Sequence, residues 1–326
     1  MKLDELAKLA GVSRTTASYV VNGKAKQYRV SDSTIHRVQQ LIEQYDFKPN
    51  AMAAGLRAGR TKTIGLIIPD FENQSYAKIT NRLENRCREL GYQLLITCSN
   101  DNQENEIECA KHLFQRKIDA LIVSTTLSMD NRFYQENSQI PIFGFDRCIR
   151  DEHVMNVLAD DENDAYRLAQ GLIRKPCSQI LFLGALPELA TSIEREKGFK
   201  RALNGTLSQV NYLYADKFNQ DSAAEIFSAW LKEHPLPQGI FITSLILLQG
   251  VLKVLFSHQQ KIPKDLLIAT FGHHELLNLL ENRVICCVQD HEEIAENLFH
   301  LVMATLEKKK HAFMMNAIQR EIIALN

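Results

Sequence analysis

Polar side chains that fall just after strand-like apolar runs are the first places to look for chemistry, because open parallel sheets hold ligands beyond the carboxyl ends of their strands. Asn73, Ser75 and Tyr76 follow the run Thr63-Ile64-Gly65-Leu66-Ile67-Ile68-Pro69. Ser124 closes the run 120–124, and Asp146-Arg147 close the run 141–146. Arg195 follows Leu183–Leu189 and opens the helical stretch that contains Gly198-Phe199. Amide, hydroxyl and carboxylate groups recognise the hydroxyls of a small polar ligand, and a guanidinium takes an oxyanion with paired donors. None of these residues forms a catalytic set. His291-Glu292-Glu293-Ile294-Ala295 lacks the second His of a zinc helix. Gly144-Phe145-Asp146 has no kinase context, and no phosphate-binding glycine loop is present. His273-His274 are adjacent, which rarely lets two imidazoles converge, and no third ligand is evident. The expectation is a binding protein and not an enzyme, with no metal and no cofactor. The seven Cys are odd in number and include no CxxC pair, and Cys286-Cys287 sit in an apolar run. They are expected to be buried thiols in a reducing compartment.

The elements that must position these residues alternate. After the run 63–69 a helical pattern extends from about Ser75 to Leu90, where Gly91 ends it. Further strand-like runs lie at Gln93–Thr97, Ala120–Ser124, Pro141–Asp146, Gln179–Gly184, Val210–Tyr214, Gly239–Thr243, Leu267–Gly272 and Ile285–Val288, with helical patterns between most of them. Near-continuous apolar strands alternating with helices indicate an α/β fold whose parallel sheets are covered on both faces. The number of runs suffices for two such sheets. No apolar run approaches the ~18 residues of a membrane span, and the opening Met1-Lys2-Leu3-Asp4-Glu5 is acidic where an export signal would turn apolar. A cytoplasmic location is therefore expected, with no membrane contact.

The first sixty residues have another character. Leu3, Leu6, Ala7 and Ala10 recur at helical spacing until Gly11. Ser13 is a good N-cap for a second helix with Ala17, Val20 and Val21 on one face, which Asn22-Gly23 ends. Ser31 or Asp32 caps a third helix, with Thr34, Ile35, Val38, Leu41, Ile42 and Tyr45 inward and Pro49 as its stop. Residues 1–62 carry eleven Lys/Arg against five Asp/Glu, a net of +6, whereas the whole chain is at -1. A small basic module on a larger, near-neutral body suits a partner with a phosphodiester backbone. The implied division is a headpiece at 1–50, a hinge helix and linker at 51–61 and a two-lobed body at 62–326.

Leu3-Asp4-Glu5-Leu6-Ala7-Lys8-Leu9-Ala10-Gly11-Val12-Ser13-Arg14-Thr15-Thr16-Ala17-Ser18-Tyr19-Val20-Val21-Asn22-Gly23 resembles the headpiece signature of the lactose-repressor (LacI/GalR) family of transcriptional regulators. Val30-Ser31-x-x-Thr34-x-x-Arg37-Val38, Tyr45-x-x-x-Pro49-Asn50-Ala51, Leu56-Arg57 and Thr63–Asp70 continue the resemblance in order. Within the family the chain is most similar to the fructose-repressor branch. That likeness rests on the longer connection Gly23–Ser31, on Leu183–Leu189 and on Leu248-Gln249-Gly250-Val251. The resemblance implies an all-α helix-turn-helix headpiece followed by two periplasmic-binding-protein-like lobes. It implies a regulator, mainly a repressor, of carbohydrate-metabolism genes. The expected partners are pseudo-palindromic double-stranded operator DNA, a sugar or sugar-phosphate effector, and a second copy of the chain, with a tetramer left open.

By resemblance Arg14, Thr15 and Tyr19 address base edges in the major groove. Ser13, Thr16, Asn22, Tyr45 and Asn50 match positions that hold phosphates. Leu56, in Ala51–Arg57, matches an apolar wedge that enters the minor groove and kinks the duplex. Lys217, Ser244, His273, Gln289 and Arg320 join the effector set by the same matching. The family's sugar clamp of an acid and an arginine falls on Asp146 and Arg195. Arg147 and Arg320 match the branch, and several guanidinium groups around one pocket favour a phosphate. The branch carries Gly-Asp-Asn where this chain has Gly272-His273-His274, so an imidazole replaces an acid. The expected effector is a sugar phosphate such as fructose 1-phosphate or fructose 1,6-bisphosphate that releases the protein from DNA; an unphosphorylated sugar such as sucrose is the alternative. A secreted sugar-binding protein would share the lobes, but neither the headpiece nor the N-terminus suits one.

Overall fold

A computed structural model describes residues 1–48, 60–259, 262–308 and 317–325. Two compact units result, Met1–Thr61 and Lys62–Asn326.

The first unit is built on three helices, α1 (Leu3–Leu9), α2 (Arg14–Val21) and α3 (Asp32–Gln44). Gly11 takes a left-handed φ of 63° and turns the chain from α1 into α2. Ser13 caps α2, its side-chain oxygen accepting the Thr16 N–H, and Ser31 caps α3 through the Thr34 N–H. Of the two cap candidates for α3, Ser31 is therefore the one used. Leu6, Ala10, Val20, Ala25, Val38 and Phe47 form the mini-core. Two expectations are corrected. Helix α3 ends at Gln44, five residues before Pro49, because Asp46 adopts a left-handed φ of 43° and the Phe47 N–H returns to the Ile42 carbonyl at 2.9 Å. That return buries Phe47 and leaves Tyr45 as the C-cap, 48% exposed and outside the core.

The longer connection between α2 and α3 is ordered. Tyr28 stacks on Tyr19 with ring centroids 3.8 Å apart and planes within 4°. Ala25 is buried beneath, and the Val30 N–H closes on the Ala25 carbonyl at 3.0 Å.

The second unit has two sheets. In the first, β1 (Thr63–Ile68), β2 (Gln93–Cys98), β3 (Ala120–Val123), β4 (Ile142–Phe145) and β5 (Met155–Val157) run parallel in the order β2-β1-β3-β4-β5. The helices α4 (Gln74–Glu89), α5 (Gln103–Gln115) and α6 (Phe133–Asn137) connect them. Beyond β5 comes α7 (Asp161–Leu172), which belongs to the second sheet with α8 (Ala190–Leu203), α9 (Gln220–Leu231) and α10 (Leu245–Gln259). That sheet is β11-β10-β9-β8-β6-β7, from β6 (Gln179–Ala185), β7 (Gln209–Ala215), β8 (Gly239–Ile242), β9 (Leu267–Phe271), β10 (Val284–Val288) and β11 (Glu321–Leu325). Only β11 is antiparallel to its neighbour, with Val284 opposite Leu325. Helix α11 (His291–Leu306) returns to the first sheet.

Period-two alternation explains why both faces of each sheet are dry. Ile64, Leu66 and Ile68 enter one cluster with Ala120, Ile122 and α11, while Ile67 enters another with Leu121, Val123 and α5. In the second sheet Leu181, Leu183, Ile240 and Ile242 face α9 and α10, and Ile180, Phe182 and Phe241 face α7 and α8. The chain thus makes two lobes, joined by the segments 158–161, 288–291 and 317–320. Helices α7 and α8 meet at Gly198, where a Cβ would lie 1.9 Å from the Glu162 carbonyl oxygen. Strands β5 and β11 are not among the strand-like runs of the sequence, β5 being only three residues long and β11 a five-residue edge strand. All seven cysteines are free.

Candidate nucleic-acid interface and ligand cleft

In the headpiece, Arg14 and Thr15 occupy the first turn of α2 and are exposed, with Tyr19 one turn on. Arg14 is not idle: its Nε lies 3.0 Å from Asp4, both side chains more than half exposed. A solvent-exposed pair of this kind is worth about 0–1 kcal/mol, so contact with a base or phosphate can displace it. Ser13 is tied to Thr16 through both its backbone N–H and its hydroxyl, the latter at 2.9 Å. Asn22 donates to the Ser18 carbonyl at 2.7 Å and closes the helix. These residues therefore hold α2 in shape whatever else they touch. Lys24, Lys26 and Arg29 add exposed cations on the connection that carries Tyr28. Asn50 and Leu56 lie outside the described residues.

In the second unit the carboxyl ends of the strands surround a cleft that opens to solvent. Asn73, Ser75, Tyr76, Asp146, Arg147, Arg195, Ser244, Gln289 and Arg320 line it. Asn73 caps α4 by accepting the Ser75 N–H, and the Ser75 hydroxyl meets His291 Nε2 at 3.1 Å. Ser124 sits one layer behind: its hydroxyl donates to Tyr76 Oη at 3.1 Å, and Tyr76 donates to Asp146 at 2.8 Å. Burial pushes the Tyr76 phenol well above its ordinary pKa, so it works here as a neutral donor. Asp146 itself stands at a left-handed φ of 61°, held where β4 turns away from the sheet.

Four expectations need correction. Arg195 does not clamp with Asp146. Its Nε donates to Asp161 at 2.7 Å and its Nη1 to the Thr243 carbonyl at 2.6 Å, because both lie in the lobe that carries α8. Nor does Arg195 open its helix, being the sixth residue of α8, which starts at Ala190. Lys217 is exposed and absent from the cleft wall, which its neighbour Phe218 lines instead. His273 is likewise not on the wall; Gly272 is, and the His274 ring caps a short 3-10 turn by accepting the Leu276 N–H at 3.1 Å.

The acids that sequence reasoning missed change the electrostatics. Arg320 Nη1 donates to Asp161 at 2.8 Å and Asp164 at 3.2 Å, and its Nη2 is 4.0 Å from Asp146. Arg147 Nη1 donates to Asp101 at 2.7 Å. Burial works against the charge on Arg147 and Arg320. It is outweighed at Arg147 by Asp101 and Asp146, and at Arg320 by Asp161, Asp146 and Asp164, so both stay above the ordinary arginine range. Burial also opposes ionisation of Asp161, but Arg195 and Arg320 overcome it and hold this carboxyl below its usual value. Asp164 goes the other way, raised by burial despite Arg320. The guanidinium faces rest on aromatic rings: Arg195 and Arg320 over Phe271 at 4.1 and 5.6 Å, Arg147 over Phe218 at 5.3 Å. Thr191, Leu245, Ile79 and Cys287 complete the wall. Asp101 was within reach of the strand-end rule, standing three residues past β2. Asp161 and Asp164 were not, since β5 had not been recognised.

The arrangement is a cleft between lobes with charged donors fixed by buried acids. Residues 2–50 match the model of bacterial regulatory proteins of the lacI family. Residues 61–304 match that of periplasmic binding proteins and the sugar-binding domain of the LacI family. The catabolite repressor/activator of Salmonella typhimurium is 51% identical over 312 residues, 95% of this chain and 93% of that one. The fructose operon regulatory protein of Vibrio cholerae is 40% identical over 311 residues, 95% of each. Among solved structures, the Cra transcriptional dual regulator of Pseudomonas putida in complex with fructose 1-phosphate superposes with a TM-score of 0.75 at 31% identity. The match covers 80% of this chain and 98% of that one.

Proposed function

The chain belongs to the LacI family of bacterial regulatory proteins, and from that premise we propose that it is an operator-binding regulator of carbohydrate metabolism released by a phosphorylated fructose. The observation that carries the effector is the meeting of Arg147, Arg195 and Arg320, from three distant segments, on one buried cleft wall. A phosphate offers oxygens that accept from several such donors at once. Asp146, Asn73, Ser75, Ser244 and Gln289 supply acceptors and donors for the sugar hydroxyls. The fructose 1-phosphate bound by the Pseudomonas putida relative supports the same ligand class.

Release follows from linkage. Ligand between the lobes favours the closed arrangement, and in a dimer this moves the two headpieces out of register with the operator halves. The ligand must prefer the DNA-incompetent state by several kcal/mol for the switch to be complete. The headpiece contributes Arg14, Thr15 and Tyr19 to base edges and Ser13, Thr16, Asn22, Tyr45 and Asn50 to phosphates, and the hinge that follows it contributes Leu56 to the minor groove.

An unphosphorylated sugar such as sucrose is the second reading, and one observation favours it: every guanidinium on the wall is already matched by a buried carboxylate. Calorimetric titration of the full chain with fructose 1-phosphate, fructose 1,6-bisphosphate, fructose and sucrose decides between them. The same ligands are then tested for release of a pseudo-palindromic site selected from random DNA. Tight binding of a fructose phosphate, weakened about ten- to hundred-fold by removing one of the three arginines, is expected. Tighter binding of an unphosphorylated sugar refutes the phosphate reading.

A further inference from the structure

Asp101 stands at the end of β2 and belongs to the lobe of the first sheet, yet its carboxylate serves both lobes. One oxygen accepts from Arg147 Nη1 at 2.7 Å. The other accepts the backbone N–H of Phe218, beyond β7 in the opposite lobe, at 3.1 Å. The side chain is only 4% exposed. Asp101 and Phe218 are far in sequence from all three crossing segments, so this bond is made by neither the chain's own continuity nor its hinge. Among the described residues, the Thr191 hydroxyl also reaches the Asp146 carbonyl across the lobes at 3.3 Å, a longer and uncharged bond, and Arg320 Nη2 stands 4.0 Å from the Asp146 carboxylate.

The surroundings hold Asp101 in this position. Asn100 and Asp101 take consecutive left-handed φ angles of 54° and 51°, a conformation that Asn and Asp tolerate better than other side chains. The Asn100 N–H is pinned to the Pro69 carbonyl at 2.8 Å, and Asn102 then caps α5. Behind Arg147, the Thr125 carbonyl receives the same Nη1 at 3.5 Å, and the buried Glu106 fixes Thr125 through its hydroxyl at 2.7 Å. The Arg147 side chain thus makes its protein hydrogen bonds, among the described residues, through Nη1 alone. Its remaining N–H groups are left for the cleft. Phe218 is buried and lays its ring against the same guanidinium.

The geometry points to Asp101 as a positioning residue that couples the two: it orients Arg147 for the ligand and latches the lobes closed by holding the Phe218 amide. In the open arrangement the Phe218 bond is broken and Arg147 loses its aromatic cover, so ligand grip and lobe closure rise and fall together. The consequence for the ligand rests on the sugar-phosphate reading above; the latch does not.

The test uses the full chain. Amide exchange read by mass spectrometry on the peptide containing Phe218, without ligand, reports the latch. In Asp101→Ala, exchange there is expected to quicken about ten-fold or more, as for loss of a hydrogen bond to a charged acceptor, while β6 and β8 peptides keep their protection. Asp101→Asn keeps an acceptor for the amide but turns an uncharged group to Arg147. It is expected to retain much of the Phe218 protection and still bind fructose 1-phosphate about ten-fold less tightly, with the loss in Asp101→Ala appearing in the off-rate. Unchanged exchange at Phe218 in Asp101→Ala overturns the latch, as does a uniform acceleration that includes the core strands. If the parent protein fails to bind fructose 1-phosphate, the sugar-phosphate reading falls, and the Phe218 exchange still decides the latch.

Discussion

Replacing Arg320 by Met removes the cation that two buried carboxylates share. Arg320 donates to Asp161 at 2.8 Å and to Asp164 at 3.2 Å with its side chain 2% exposed. Asp161 keeps Arg195, but Asp164 is left with Arg167, which is 41% exposed and 3.1 Å away. Removing one partner of a buried ion pair costs about 3–5 kcal/mol, because the other charge remains buried. For the roughly 265-residue unit Lys62–Asn326, an unfolding entropy near 2.1 cal/mol/K per residue is about 0.5–0.6 kcal/mol/K. The melting temperature should therefore fall by about 5–10 °C. The pH dependence carries the diagnosis. Burial already raises Asp164, and without Arg320 it is raised further. A carboxyl whose folded pKa exceeds its unfolded one is harmless below the unfolded value and destabilises progressively as pH rises toward the folded value. The deficit of Arg320→Met relative to the parent should thus be smaller at pH 5 than at pH 8. Thermal melts of the full chain at pH 5, 6.5 and 8 measure it, with Arg167→Met as the exposed control expected to cost under about 1 kcal/mol. A deficit that is absent, or equal at all three pH values, refutes the assignment of Arg320 as the charge that keeps Asp164 ionised.

Operator affinity should drop by about 10³–10⁵ between 50 and 200 mM salt if a dimer neutralises about six to ten phosphates, and a flat response in a mobility-shift series counts against the basic headpiece as the reader. Leu56→Ala should weaken operator binding and leave the melting temperature unchanged; a large loss of melting temperature without DNA would make Leu56 a packing residue. His291 is lowered to about 4 by burial and by Lys78 and Arg82, so between about pH 6.5 and 4 the unfolded state binds the extra proton and stability falls with falling pH. His291→Gln should remove that pH dependence, so that the variant gains on the parent in thermal melts as pH falls from about 6.5 to 4. Gly198→Ala drives a methyl group into the Glu162 carbonyl and should part α7 from α8. Overpacking of this kind costs about 1–3 kcal/mol, and since Arg195 lies one turn away, ligand affinity should fall with it; an unaltered melt would show that the helices shift freely.

How much of this was legible in the chain depends on distance along it. The caps at Ser13 and Ser31, the break at Gly11 and the alternation that splits Ile64, Leu66 and Ile68 from Ile67 are local, set by hydrogen bonds and side-chain period within a few residues. They could be read directly, as could the two-sheet α/β plan and the helical headpiece. The resemblance of Leu3–Gly23 added the class of partner, which no periodicity states. Tertiary structure alone decided the partners of the arginines. Arg195 was matched to Asp146, but the pairing depends on which lobe each residue joins, and the crossing at 158–161 puts Asp161 beside it. Lys217 and Phe218 differ by one position, and only the path of the chain out of β7 determines which enters the wall and which meets solvent. The three-residue β5 and the edge strand β11 carry too little pattern to be seen alone, since their pairing energy comes from neighbours already in the sheet. The bond from Asp101 to the Phe218 amide spans 117 positions; no local signal encodes it, because it exists only once both lobes have folded and met.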